Sequence, residues 1–113
     1  MSPSDFDLLR HVRDETIFIL NNTYKKTLED VLNDEILCRA IIRSLEIVGE
    51  AARKISNDIK VNYPQIEWKK MAATRDRLTH DYFGVDYDIA WDIIQNKLPE
   101  LQINIESIIN STK

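Results

Sequence analysis

One cysteine, two glycines and three prolines are all that 113 residues contain of the residue types that staple, bend or break a chain. Cys38 has no partner for an internal disulfide, which excludes a disulfide-built scaffold. The remainder is rich in Ile, Leu, Ala, Glu, Lys and Asp, which favours helices joined by short connections. No apolar run approaches the roughly 18 residues of a membrane span. The N-terminal segment also lacks the charged, apolar and small-residue order of a secretion signal, so the expectation is a soluble, cytoplasmic protein without a membrane partner. The length suits one domain, residues 1–113, with a single core. Positive charge is in short supply as well: 15 Lys and Arg stand against 19 Asp and Glu, a formal charge of −4. That balance excludes a general nucleic-acid binder, which needs an excess of cations to neutralise phosphates. Any nucleic-acid contact must come from a local cluster such as Lys69, Lys70, Arg75 and Arg77, or with help from a second subunit.

The apolar pattern predicts the helices. Ser4 reads as an N-cap, and Phe6, Leu9, Val12, Thr16, Ile19 and Leu20 recur at helical spacing, predicting a first helix from about Asp5 to about Asn22. Thr27 with Asp30 resembles a capping box, so Leu28 to Asn33 reads as a short helical turn. Asp34 then caps the longest segment. Leu37, Cys38, Ile41, Ile42, Leu45, Val48, Ala52 and Ile55 alternate at three and four residues and predict a central helix from Glu35 to about Ile59. Gly49 interrupts it, either to let another helix come close or as a tolerated residue without a role. Arg43, Glu46, Glu50 and Arg53 follow the same spacing and read as a surface ladder of charge pairs, unless the face they occupy meets a partner. Tyr63-Pro64 ends that helix. Glu67 to about His80 reads as the next helix, carrying Trp68 and Met71 into the core, with Gly84 as its stop. Asp86 caps a further helix holding Ile89, Ala90, Ile93 and Ile94 inward. Pro99 is absorbed as a kink or as the first turn of a last helix through Leu101, Ile105, Ile108 and Ile109. The fold expected is all-α, an antiparallel bundle of four or five helices.

Chemistry concentrates in one place. Thr74 to Asp86 gathers two arginines, one of the two histidines, three aspartates and a tyrosine into thirteen residues, where a helical pattern is running out. Five residues along a helix turn through about 140° net and rise about 7.5 Å. Arg75 and His80 therefore converge only if the helix ends before His80 or if the arginine reaches along the groove. Together they suit RNA cleavage without a metal. Histidine titrates near neutral pH, and a guanidinium offers a planar donor fork to a phosphate gaining charge. Alternatives fare worse. His11, Cys38 and His80 have no zinc-ligand spacing. The sequence holds no glycine-rich phosphate loop and no serine in a nucleophile turn. Taken alone, His80 reads as an ordinary helix-end histidine, and Tyr82 as a buried ring with its hydroxyl bonded.

The run Arg75-Asp76-Arg77-Leu78-Thr79-His80-Asp81-Tyr82-Phe83-Gly84-Val85-Asp86 resembles the Arg-x4-His-x-Tyr signature, with its following Phe-Gly-Val-Asp, of HepT-like toxins in the HEPN superfamily. The likeness spans nearly the whole chain. Ile42 to Ala52 resembles that family's central helix, Tyr63 to Trp68 its next connection and Trp91 to Leu101 its last helix. The resemblance implies a dimeric ribonuclease toxin of a type VII-like toxin–antitoxin system, acting on tRNA or mRNA. Its antitoxin partner would be a minimal (MNT-type) nucleotidyltransferase. It further implies Arg75 and His80 as the catalytic pair and Asp76 as the polar residue that follows the arginine, where many members carry asparagine. Tyr82 would be the hydroxyl that the partner modifies with AMP. Arg77, Lys69 and Lys70 complete the expected RNA contacts, and neither a metal nor a cofactor is expected. The alternative is a non-catalytic helical dimer, bound and modified by a nucleotidyltransferase, which the acidic composition favours.

Overall fold

The computed structural model describes residues 1–80 and 84–111; Thr79 and His80 are described by backbone alone. Eight helices and one two-stranded hairpin account for nearly all of the described residues. Four of the helices are long: α1 (Pro3–Thr23), α3 (Glu35–Lys54), α7 (Tyr87–Asn96) and α8 (Leu98–Ser111). Four are short: α2 (Leu28–Leu32), α4 (Asn57–Asn62), α5 (Trp68–Ala72) and α6 (Thr74–Leu78). The all-α, HEPN-like class expected from composition and pattern is the class found, although short helices raise the number above four or five.

Local signals acted where expected in the first half. Thr27 and Asp30 form the reciprocal capping box of α2, and the Asp34 carboxylate accepts from the Leu37 amide to start α3. The first helix, by contrast, begins earlier than Asp5. Pro3 takes a first-turn position, which its fixed φ suits, and Ser2 rather than Ser4 accepts from the Asp5 amide. The helix runs to Thr23, one residue past Asn22.

α3 is the axis of the bundle. Its buried face comprises Cys38, Ile41, Ser44, Leu45, Val48, Gly49, Ala51 and Ala52. α1 lies antiparallel along it, since the Ser44 hydroxyl donates to the Glu15 carbonyl at 3.2 Å while Ser56 reaches Asp5. This second contact explains why α3 does not continue to Ile59. Ile55 turns extended at φ −65°, ψ 139°, and the Ser56 amide and hydroxyl donate to the Asp5 carboxylate at 2.9 and 2.7 Å. The chain then restarts as α4. Asp5 supplies from another helix the acceptor at this helix start, where the Ser56 side chain makes no capping bond of its own.

Gly49 is a point of close approach. A Cβ there would stand 3.0 Å from the Met71 carbonyl oxygen and 3.7 Å from that of Ala72, so α5 lies against the bare backbone of α3. Trp68 is buried and its indole N–H donates to the Tyr63 carbonyl at 2.9 Å. The helix expected from Glu67 to His80 is divided, with Ala73 at the joint. Two side chains compete for carbonyls at that joint: the Thr74 hydroxyl takes that of Lys70 at 3.2 Å, and the Arg53 guanidinium takes that of Ala72 at 3.4 Å. The second segment ends at Leu78, not His80.

Beyond Leu78, β1 (Thr79–His80) pairs antiparallel with β2 (Gly84–Val85), Thr79 opposite Val85 and His80 opposite Gly84. Gly84 is thus a hairpin residue rather than a helix stop, and its φ of +78° is one that glycine adopts without strain. The Asp86 amide closes the hairpin on the Leu78 carbonyl at 2.6 Å, and its carboxylate caps α7 on the Ile89 amide at 3.1 Å. Pro99 sits in the first turn of α8, the second of the two outcomes foreseen for it. Leu9, Val12, Ile19, Ile41, Leu45, Ile105 and Ile108 meet in one core among α1, α3 and α8. No helix of the described residues is long and apolar enough to cross a membrane.

Candidate active site

Arg75 leaves α6 at its second residue and turns toward α3. Its Nε lies 3.6 Å from Glu46 Oε2 and its Nη1 3.8 Å from Glu50 Oε1. Arg43, on the same helix as these glutamates, approaches the same two oxygens at 4.0 and 3.5 Å. Two guanidiniums and two carboxylates therefore form one cluster on the exposed seam between α3 and α6. Arg53 borders it through its contact with the Ala72 carbonyl. The sequence showed Arg43, Glu46, Glu50 and Arg53 as a ladder. It gave no sign that Arg75 joins them, because that meeting depends on how α6 docks.

His80 occupies the end of β1, two residues past the last residue of α6. The helix thus stops before the histidine, which is one of the two geometries that would let Arg75 and His80 face a common opening. Tyr82, the expected AMP acceptor, lies outside the described residues. Asp76 is exposed next to Arg75.

The other expected RNA contacts do not gather around Arg75. Arg77 follows about 200° around the helix. It stands at the edge of a cavity of about 120 Å³ floored by Leu45, Val48, Ile93 and Leu101. Lys70, at the same edge, is paired with Glu67 at 2.7 Å, and Lys97 reaches that carboxylate at 3.3 Å. These two lysines, through hydrogen bonds and charge, hold the Glu67 carboxyl below its ordinary range. Lys69 is exposed. Among the described residues no group of His, Cys, Asp or Glu is arranged to hold a metal ion.

A small all-α bundle with this order of helices is compatible with the HEPN-like class. Comparison with known sequences names the group more closely. A family model described as ribonuclease HepT-like matches residues 13–108, and the chain belongs to that family. A Methanocaldococcus jannaschii protein with a provisional RNase name is 42% identical over 104 residues, covering 92% of this chain and 83% of the relative. One from Caldanaerobacter subterraneus subsp. tengcongensis, named in the same way, is 36% identical over 93% of this chain and 94% of its own length. A Thermococcus cleftensis protein named as a probable ribonuclease HepT is 38% identical over 96% of this chain and 98% of its own. No solved structure gives a significant match.

Proposed function

We propose that this chain is a metal-independent endoribonuclease in which Arg75 and His80 form the catalytic pair. The observation that carries the reading is the placement of Arg75. Its guanidinium is exposed and oriented by two carboxylates, on the helix that runs into the hairpin bearing His80. Family membership supplies the reaction class. His80 moves the proton: it takes one from a ribose 2′-hydroxyl, whose oxygen attacks the adjacent phosphorus as the bond to the 5′-oxygen breaks. The imidazolium so formed then gives a proton to that leaving oxygen, which completes the step with no net change in protons. Arg75 holds the non-bridging oxygens as their charge rises. The products are a 2′,3′-cyclic phosphate and a 5′-hydroxyl end. Asp76 sits beside Arg75 as the polar neighbour. Lys69, Lys70 and Arg77 contribute to RNA binding over a wider surface, Arg77 and Lys70 from the cavity edge.

In this reading the protein is a homodimer that brings two motifs together. It is the toxin of a type VII-like toxin–antitoxin pair, silenced when an MNT-type nucleotidyltransferase attaches AMP to Tyr82. The adduct would place bulk and a phosphodiester charge beside the cleft. The test is product chemistry: RNA incubated with the protein in EDTA should yield fragments ending in cyclic phosphate. Tyr82→Phe should cut as well as wild type but escape silencing by the nucleotidyltransferase with ATP and magnesium. Loss of cleavage in EDTA, or an adduct found on Tyr24, Tyr63 or Tyr87 instead, contradicts the reading. The second reading, a non-catalytic module held by its partner, draws on the charge of −4 and requires that no RNA be cut.

A further inference from the structure

The cluster that orients Arg75 contains a second guanidinium with the same outlook, which the catalytic reading leaves unused. Arg43 lies three residues before Glu46 and seven before Glu50, so all three occupy one face of α3. Single oxygen atoms bridge the two arginines: Glu46 Oε2 is 3.6 Å from Arg75 and 4.0 Å from Arg43, and Glu50 Oε1 is 3.8 and 3.5 Å away. The carboxylates thereby hold close together two cations that would otherwise repel.

Exposure separates this arrangement from an ordinary surface ladder. The arginine side chains are 60% and 58% exposed at positions 43 and 75, while the glutamates are 24% and 38% exposed. The cations are thus the outer layer and the anions lie behind them. The contacts are also loose. All four fall between 3.5 and 4.0 Å, whereas a charge-assisted fork closes to about 2.7–2.9 Å. Arg75 donates no hydrogen bond to either glutamate, and Arg43 donates one, to Glu50 at 3.5 Å. Each guanidinium has about five N–H donors, and the two glutamates accept a single hydrogen bond from the pair. Two exposed planar donors that share the same carboxylate oxygens behind them suit the non-bridging oxygens of a phosphodiester strand.

We propose that Arg43 is a second phosphate-binding residue of the cleft, contacting the RNA backbone next to the phosphate that Arg75 holds, with Glu46 and Glu50 positioning both. This rests on the reading of Arg75 as a phosphate ligand. It also identifies where an acidic monomer presents two exposed guanidiniums without a second subunit, their balancing carboxylates being the less exposed partners.

The experiment measures binding of a fluorescein-labelled 2′-O-methyl oligouridylate, which has no 2′-hydroxyl to attack, by anisotropy across a series of salt concentrations. Arg43→Ala should weaken binding on the order of tenfold, as expected for loss of a hydrogen bond to a charged group. It should also lower the slope of log affinity against log salt by about 0.7, the value for one phosphate contact on a single strand. Arg43→Lys should restore the slope but not the full affinity, because an ammonium keeps the charge and loses the fork. A merely structural role would not move the salt slope. Arg43→Gln, which keeps the stem over the helix, repeats the measurement should alanine disturb the fold. If Arg43 variants bind with wild-type affinity and slope while Arg75→Ala loses both, Arg43 is only a surface ion pair and the proposal fails. If Arg75→Ala also binds normally and cuts RNA at the wild-type rate, the reading beneath it fails instead.

Discussion

Single residues in this chain do work that their neighbours in sequence do not reveal. Asp5 reads as a first-turn acid, yet its buried carboxylate holds the start of α4 across 51 positions through the Ser56 amide and hydroxyl. Burial pushes the Asp5 carboxyl up, but the two hydrogen bonds from Ser56 and one from Ser2 outweigh it, and the group titrates below its ordinary range. A folded pKa below the unfolded one stabilises the fold above the unfolded value of about 3.9. That stability is lost as pH falls through the lower folded value. Asp5→Ala should therefore destabilise by about 1–3 kcal/mol at pH 7, because it leaves the Ser56 donors without their acceptor. In urea titrations the gap between wild type and variant should shrink below about pH 4. An equal gap at pH 7 and pH 3 contradicts the assignment. Arg75 and His80 were visible in the sequence as a motif because their spacing is local. The carboxylates behind Arg75 were not, since Glu46 and Glu50 reach it only once α6 lies on α3.

At the scale of elements, what was legible was what neighbours in sequence decide. The caps at Thr27, Asp34 and Asp86 act within three residues, and the apolar stripes of α1, α3, α7 and α8 report one buried face each. The breaks escaped because distant groups make them. Asp5 interrupts α3 at Ser56, while Arg53 takes a carbonyl at the joint between α5 and α6. The hairpin escaped too, since pairs of two residues show no alternating pattern to read. Gly49 makes the α3–α5 contact testable. Alanine favours a helix by about 1 kcal/mol over glycine. Its methyl would nonetheless press on the Met71 carbonyl, which cannot swing aside as a side chain can. Gly49→Ala should thus be net destabilising, by about 1–3 kcal/mol, and Gly49→Val more so. A more stable Gly49→Ala in thermal melts would mean that α5 does not sit where the structure places it. The same shift would displace α6 and Arg75, so RNA cleavage should fall with stability.

For the whole molecule, fold and family agree, and charge is what remains to be reconciled with function. A chain with a net charge of −4 handles a polyanion only if its cations are focused. The seam between α3 and α6 exposes two guanidiniums in front of two less exposed carboxylates within one copy, and a dimer with the hairpins near its two-fold axis would present two such pairs. Light scattering at micromolar concentration should accordingly give twice the chain mass; a stable monomer that still cuts RNA removes the dimer from the account. The central claim is that Arg75 and His80 cleave RNA without a metal. It is tested most directly by single-turnover cleavage rates in EDTA for wild type, His80→Ala and Arg75→Lys, with circular dichroism confirming an unchanged fold. The account predicts active wild type, a loss of about 10²- to 10⁴-fold on removing His80, and a substantial loss for Arg75→Lys, whose ammonium cannot replace the fork. Wild-type rates in a folded His80→Ala protein would contradict it.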